Sequence, residues 1–401
     1  MERPASEPAK QLSPPLEGVR VIEIAGGFSA AYCAHLLAGY GADVVRVEGA
    51  DRPAPGDWTL DADQATYLLP GKERIDLSGG ARAMDPARHL ERLVSAAELV
   101  IVDGVPGRFD IAAWRAGNPQ LVAVTISPFG QSGPDRFLPA DDLVAFAAGG
   151  TMSLTGDPTA APLVTGGAQA LAFAGLHAFT AALSTYYGAV VQGEGDWVDI
   201  SVQECLASSL ELYAPAAAMG EPAALRFGNY HRAVWALYPC ADGYGGVFCL
   251  ERQVPALFKL VGEHLGIDTL EEERFRNPVQ RLENDEELSA YILSFMVDHT
   301  GDDLARLGAE RKIPFGKVRT PAELLSSAAL ADRAFFDTVL TGHGEVRVPG
   351  RPFPGVSWQG GGPLASSPTT SASTSEQTLE QTVSHTVDHT VNEILKRWGR
   401  P

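Results

Sequence analysis

The sequence predicts an α/β protein: a doubly wound parallel sheet in its first half, then a smaller α+β region. Three observations carry this. Short β-branched runs alternate with helix-length stretches, and a strand, a helix and the next strand fit within about 30 residues. Glycines sit at the strand-to-helix turns. Near Leu225 the pattern changes to paired strands and charged amphipathic helices.

Residues 1–16 are polar and Pro-rich and are expected to form a disordered leader without the apolar core of a signal peptide. Order begins at Val19-Arg20-Val21-Ile22-Glu23-Ile24, a β-branched run suited to a buried parallel strand. Gly26-Gly27 breaks it, Ser29 to Tyr40 supplies a helix that Gly41 ends, and Ala42 to Glu48 is a second strand. This βαβ unit implies a right-handed crossover. The pattern returns in a helix from Pro86 to Ala97 and in strands at Leu99–Val102 and Leu121–Ile126, so residues 17–130 read as one doubly wound domain.

Between Asp142 and Ala189 the chain is rich in Ala and Gly, and Phe173 to Tyr187 is predicted to be a fully buried helix. Asp196 to Val202 alternates like a strand and leads into a helix through Leu212. In the second region Leu237–Cys240 turns at Asp242-Gly243 into Gly246–Leu250, and amphipathic helices fill 253–310. Residues 345–365 read as loop. Ser366 to Thr378 holds nine Ser/Thr in thirteen positions and reads as a flexible linker, drawn over 366–382, before a terminal helix within 383–401.

With 31 Lys+Arg against 50 Asp+Glu, the 401-residue chain carries a formal charge of −19. That balance argues against nucleic acid or an anionic membrane as a large partner surface, and leaves room for a small anion held by a few donors. No run approaches 18 uncharged apolar residues. The four cysteines are scattered without metal spacing, so reduced thiols, a cytoplasmic location and no metal are expected.

Gly26-Gly27 reads either as a tight turn or as the opening of a helix N-terminus able to hold a phosphate or carboxylate; the full Gly-x-Gly-x-x-Gly is absent. There is no Gly-x-Ser-x-Gly elbow. His385 and His389 stand four apart with no third ligand. The pair Asp141-Asp142 has two readings, a helix N-cap before Leu143 or a catalytic carboxylate.

Several ordered blocks together are more specific. Pro15 to Glu23 with Leu36 to Glu48, Gly71-Lys72-Glu73-Arg74-Ile75-Asp76-Leu77, Phe129-Gly130-Gln131-Ser132-Gly133-Pro134, Asp142 to Gly156, Tyr238-Pro239-Cys240-Ala241-Asp242-Gly243 and Ile313-Pro314-Phe315-Gly316 resemble the family III CoA-transferases, the CaiB/BaiF group. The resemblance spans about residues 15–355 and resumes at His389–Leu395.

It implies a large Rossmann-like domain built from both chain ends (17–215 and 331–365, with the terminal helix), a small domain at 225–330, and an interlocked dimer. It also implies transfer of CoA between carboxylic acids: an Asp carboxylate attacks an acyl-CoA thioester, giving a mixed anhydride and then an aspartyl-CoA thioester. Acyl-CoA is then a substrate, with no permanently bound cofactor. Anchored on Gly175-Leu176-His177-Ala178, the nucleophile position is Leu171, and no Asp or Glu occurs between Asp157 and Glu194.

The resemblance puts Phe28, Ser29, Leu69, Lys72, Asp103, Gly104, Val105 and Ser127 at the CoA site, with Lys72 approaching the phosphates. Gly49, Ile111 and Ser127 stand where the formyl-CoA transferase branch has basic contacts, and Asp141 stands where the racemase branch has His. The expected function is the nucleophile-deficient subunit of a heteromeric CoA-transferase. Its partners would be acyl-CoA, a carboxylic acid and a homologous subunit, or a second copy of this chain. The alternatives are a diverged acyl-thioester enzyme (hydratase/dehydratase or acyl transferase) with Asp141 as acid/base, a thioester-binding scaffold, and an ordinary homomeric transferase.

Overall fold

Six strands, β1 (Arg20–Ile24), β2 (Asp43–Glu48), β3 (Glu73–Asp76), β4 (Leu99–Asp103), β5 (Val122–Ser127) and β6 (Trp197–Ser201), form one sheet in the order β3-β2-β1-β4-β5-β6. All neighbours pair in parallel. Both faces are covered, which is why β4 and β5 are buried at every residue and read as unbroken apolar runs. The order reverses between β1 and β4, and in such sheets the ligand crevice opens at the carboxyl ends of the strands at that switch.

The computed structural model describes residues 13–24, 26–50, 60–78, 85–220, 226–353, 356–360 and 376–399. The chain divides into two compact units, one of residues 1–152, 164–219 and 328–401 and the other of 153–163 and 220–327.

In the first unit the sheet carries α1 (Phe28–Gly39), α2 (Ala62–Leu68), α3 (Pro86–Ala96), α4 (Ile111–Gly117), α5 (Asp142–Ala148) and α6 (Gln169–Gln192). Alternate strand residues serve opposite faces. Val21, Ile101 and Val124 pack under α1 and α6, while Ile22, Val100 and Ala123 pack on the side of α3 and the terminal helix Glu376–Arg397. That helix places Val387, Val391, Ile394 and Leu395 on the sheet at helical spacing. The Trp398 indole N–H then donates to Asp43 at 2.7 Å.

Several boundaries differ from the sequence reading. Leu16 is buried in the core, and its N–H donates to the Tyr40 carbonyl at 3.0 Å, inside the stretch read as leader. Residues 345–365 are not all loop: Gly344–Pro349 pairs antiparallel with Phe336–Thr341, an alternation Glu345-Val346-Arg347-Val348 whose charges disguise it. The terminal helix starts at Glu376, within the drawn linker, whose residues 366–375 lie outside the described residues. The predicted buried helix is longer and only half-buried; Leu176, Tyr187, Val190 and Val191 are exposed on α6. No helix among the described residues is long and apolar enough to cross a membrane.

The second unit is an antiparallel sheet, β7 (Tyr230–Arg232), β8 (Trp235–Cys240), β9 (Gly243–Phe248) and β10 (Phe315–Lys317), in the order β10-β9-β8-β7. Ala236, Tyr238 and Val247 point into a core shared with Phe258, Phe275 and Phe295. Gly243, at φ +143°, opens β9 where other residues would be strained.

Candidate active site

The β1–β4 switch is built for close approach. Gly26 lies against the end of β4, and a Cβ there would stand 2.8 Å from the Asp103 carbonyl oxygen. The turn delivers the N-terminus of α1, whose N-cap, Gly27, has no side chain to offer. Asp103 supplies the cap from the neighbouring strand, its Oδ2 accepting the Ala30 N–H at 3.3 Å. The end of a helix dipole that would attract a phosphate therefore already faces a buried carboxylate. Gly104, in the left-handed region at φ +134°, and Val105 continue along the same edge, both partly exposed.

α6 packs beside α1 through Gly175, where a Cβ would come within 2.7 Å of the Ser29 carbonyl oxygen. The two N-termini meet: the Ser29 hydroxyl donates to the Leu171 carbonyl at 2.9 Å. Ala168, the N-cap of α6, also lacks a capping side chain. The Asp142 carboxylate fills that role, accepting the Leu171 N–H at 3.1 Å. Both helix ends at this corner thus borrow a carboxylate from another segment. Burial raises the pKa of Asp142, and hydrogen bonds from the Leu171 and Ala170 N–H groups hold the rise back.

The Leu171 side chain is turned into the core, 5% exposed, among the apolar residues of α1 and α6. A leucine there cannot act as a nucleophile. Asp141, the acid/base candidate, is exposed and is the N-cap of α5, accepting the Val144 N–H at 2.8 Å. Of the two readings of the pair, the helix cap fits Asp141, and its neighbour Asp142 is the carboxylate that reaches the backbone of Leu171. The sequence marked the pair; the geometry separates its members.

Lys72 is corrected more sharply. Its side chain is 0% exposed, with Nζ 2.7 Å from Glu23 and 2.8 Å from the Ala31 carbonyl oxygen. An ammonium enclosed by the sheet and α1 does not reach a phosphate. Arg46 pairs with Glu23 and Glu48, and Arg74 with Glu48. Burial pushes Lys72 down to about 8 against the pull of Glu23, so it stays mainly protonated at neutral pH. For Glu23, burial acts to raise the pKa, but Arg46 and Lys72 together bring it below the usual carboxylate range. The basic residues offered by β2 and β3 are internal countercharges, a role their strand positions did not disclose.

Leu69 is a core residue at the end of α2. Ser127 ends β5 with its hydroxyl buried and without a hydrogen-bond partner among the described residues. Phe28, Ser29, Asp103, Gly104, Val105 and Ser127 thus gather at the carboxyl edge of the sheet, whereas Lys72 and Leu69 are taken up by packing.

The sequence and fold match known proteins. The family described as CoA-transferase family III matches residues 16–374. The chain is 28% identical to succinyl-CoA–D-citramalate CoA-transferase of Chloroflexus aurantiacus over 331 residues, covering 78% of this chain and 80% of the relative. The beta subunit of succinyl-CoA–L-malate CoA-transferase from the same organism is 28% identical over 246 residues, 57% of this chain and 58% of that one. A crystal structure of a CaiB/BaiF family protein from Brucella suis superposes with a TM-score of 0.74 at 25% identity, covering 94% of this chain and 100% of the other. A six-stranded parallel sheet whose order reverses between β1 and β4, and a family match running from residue 16 to residue 374, lead to one conclusion: the chain belongs to CoA-transferase family III.

Proposed function

We propose that this chain binds acyl-CoA thioesters as the nucleophile-deficient subunit of a heteromeric CoA-transferase, working in the cytoplasm beside a homologous subunit that carries the attacking carboxylate. The observation that carries the reading is Leu171, an apolar core side chain at the position the resemblance gives to the attacking carboxylate. In transfer through an enzyme carboxylate, an oxygen attacks the thioester carbonyl and the C–S bond breaks. The thiolate then attacks the aspartyl carbonyl of the anhydride, giving the enzyme thioester and the free acid. None of these steps can start from a leucine.

Two further observations support a subunit role. A relative of this chain is itself named as a beta subunit. The exposed apolar residues Leu176, Tyr187, Val190 and Val191 of α6 suit a large protein contact, as an interlocked dimer requires. The carboxyl-edge residues Phe28, Gly104 and Val105 would line the thioester arm, with the Ser127 hydroxyl as a polar contact.

The test is chemical trapping. The chain incubated alone with succinyl-CoA, then with hydroxylamine or borohydride, is expected to carry no modified Asp or Glu on peptide mapping. Co-expressed with a homologue bearing the carboxylate, it is expected to co-purify, with the label on the partner. A labelled carboxylate in this chain overturns the reading.

Asp142 favours a second reading, a diverged acyl-thioester enzyme. Its half-buried carboxylate with a raised pKa sits beside residue 171, as an acid/base would. Under that reading, succinyl-CoA exchanges its α-hydrogens in D₂O with the wild type and not with Asp142→Asn.

A further inference from the structure

The small domain holds a cleft of about 320 Å³ at the start of the helix Val254–Leu265, within the range of small-molecule sites. Val254, Pro255 and Phe258 form its apolar side. Arg281, Glu251, Arg276 and Glu271 form its polar side.

Arg281 is the unusual member. Its side chain is 6% exposed, although arginine is rarely buried unless fully paired. Among the described residues it makes two hydrogen bonds, to Glu251 and, at 3.3 Å, to the Phe275 carbonyl. A guanidinium has five N–H donors, so its hydrogen-bonding capacity exceeds what the described residues supply. Glu251, its partner, is 60% exposed and stands at the rim of the cleft. At the mouth Arg276 pairs with Glu271, both more than half or about half exposed.

The lining therefore carries two positive and two negative groups. A simple anion entering to reach Arg281 competes with Glu251 for the guanidinium and sets a second negative charge beside that carboxylate, which repels it. A zwitterion avoids this: its carboxylate takes the fork of Arg281 and its ammonium takes the released Glu251. From charge balance, volume and the apolar wall we infer that this cleft binds a small zwitterion, an α-amino acid with an apolar side chain lying along Val254, Pro255 and Phe258. The site is built from the small domain alone, needs no acyl-CoA, and is independent of the function proposed above.

Calorimetric titration of the full chain with L-leucine tests it, alongside 4-methylpentanoate, which lacks the ammonium, and isopentylamine, which lacks the carboxylate. Leucine is expected to bind saturably, and each half-ligand at least about tenfold more weakly. Because Arg281→Met risks unfolding the domain, the diagnostic variant is Glu251→Gln on the cleft rim. It is expected to weaken leucine and to strengthen 4-methylpentanoate, since the competing carboxylate is gone. Absence of saturable leucine binding overturns the inference. So does 4-methylpentanoate binding as tightly as leucine, or leucine binding that Glu251→Gln leaves unchanged.

Discussion

The Asp142 carboxylate accepts the backbone N–H of Leu171 at 3.1 Å, so an acidic group stands at the helix terminus whose own residue 171 is apolar. This contact caps α6, which has no capping side chain of its own. Asp142→Ala is expected to cost about 0.5–2 kcal/mol, the usual loss of a cap, and Asp142→Asn much less because its amide oxygen still accepts. Urea unfolding of the two variants measures this; equal losses would show that the charge, not the cap, matters.

Leu171→Asp asks whether the rest of the crevice is intact. The new carboxylate lies beside Asp142, and like charges at that range push one pKa up. Lost burial of the leucine is expected to lower stability by about 2–5 kcal/mol. In the folded fraction, succinyl-CoA followed by hydroxylamine should modify residue 171 and no other carboxylate. A folded, unlabelled variant would mean that the thioester does not dock at this corner.

Lys72→Met separates a structural lysine from a phosphate contact. Removing it leaves Glu23 paired to Arg46 alone, in a buried place where breaking an ion pair is expensive. A drop of about 3 kcal/mol in unfolding free energy is expected, with the Kd for CoA unchanged. Weaker CoA binding at unchanged stability would reinstate the phosphate role.

Asp103 places negative charge at the helix end nearest the crevice. Asp103→Asn retains an acceptor for the Ala30 N–H and removes the charge. Affinity for anionic CoA should rise roughly fivefold at low salt, and the gain should shrink as salt screens it. Titrations at two salt concentrations check both parts, and an affinity loss would show that the carboxylate itself contacts the ligand.

His35 gives the fold an acid-sensitive point. It is buried on α1 between Tyr67 and Trp358, and neither ring nitrogen has a hydrogen-bond partner among the described residues. Burial, with the nearby Lys72 charge, lowers its pKa to about 3. The folded value lies below the unfolded one near 6.5, so the unfolded chain binds the proton first, and stability falls as pH drops from about 6.5 toward 3. His35→Leu should flatten that part of the curve, which thermal melts between pH 7 and 4 would reveal; an unchanged slope assigns the acid sensitivity to other groups.

By itself the sequence located five of the six strands of the parallel sheet, because β-branched runs and glycine turns are local signals that tertiary contacts reinforce; the short, charged β3 and the helices α2 and α4 appeared only in the structure. Local pattern failed where a residue's role depends on what lies across the fold. The resemblance sends Lys72 to the CoA phosphates, and the sheet instead places Glu23 2.7 Å from it. Asp141 and Asp142 are neighbours in sequence, yet one caps its own helix and the other caps α6. Asp103, which the resemblance puts at the CoA site, caps α1 from a neighbouring strand. Charge becomes partnered or available only through long-range packing, so the tertiary structure alone decided which acidic and basic groups remain for a ligand.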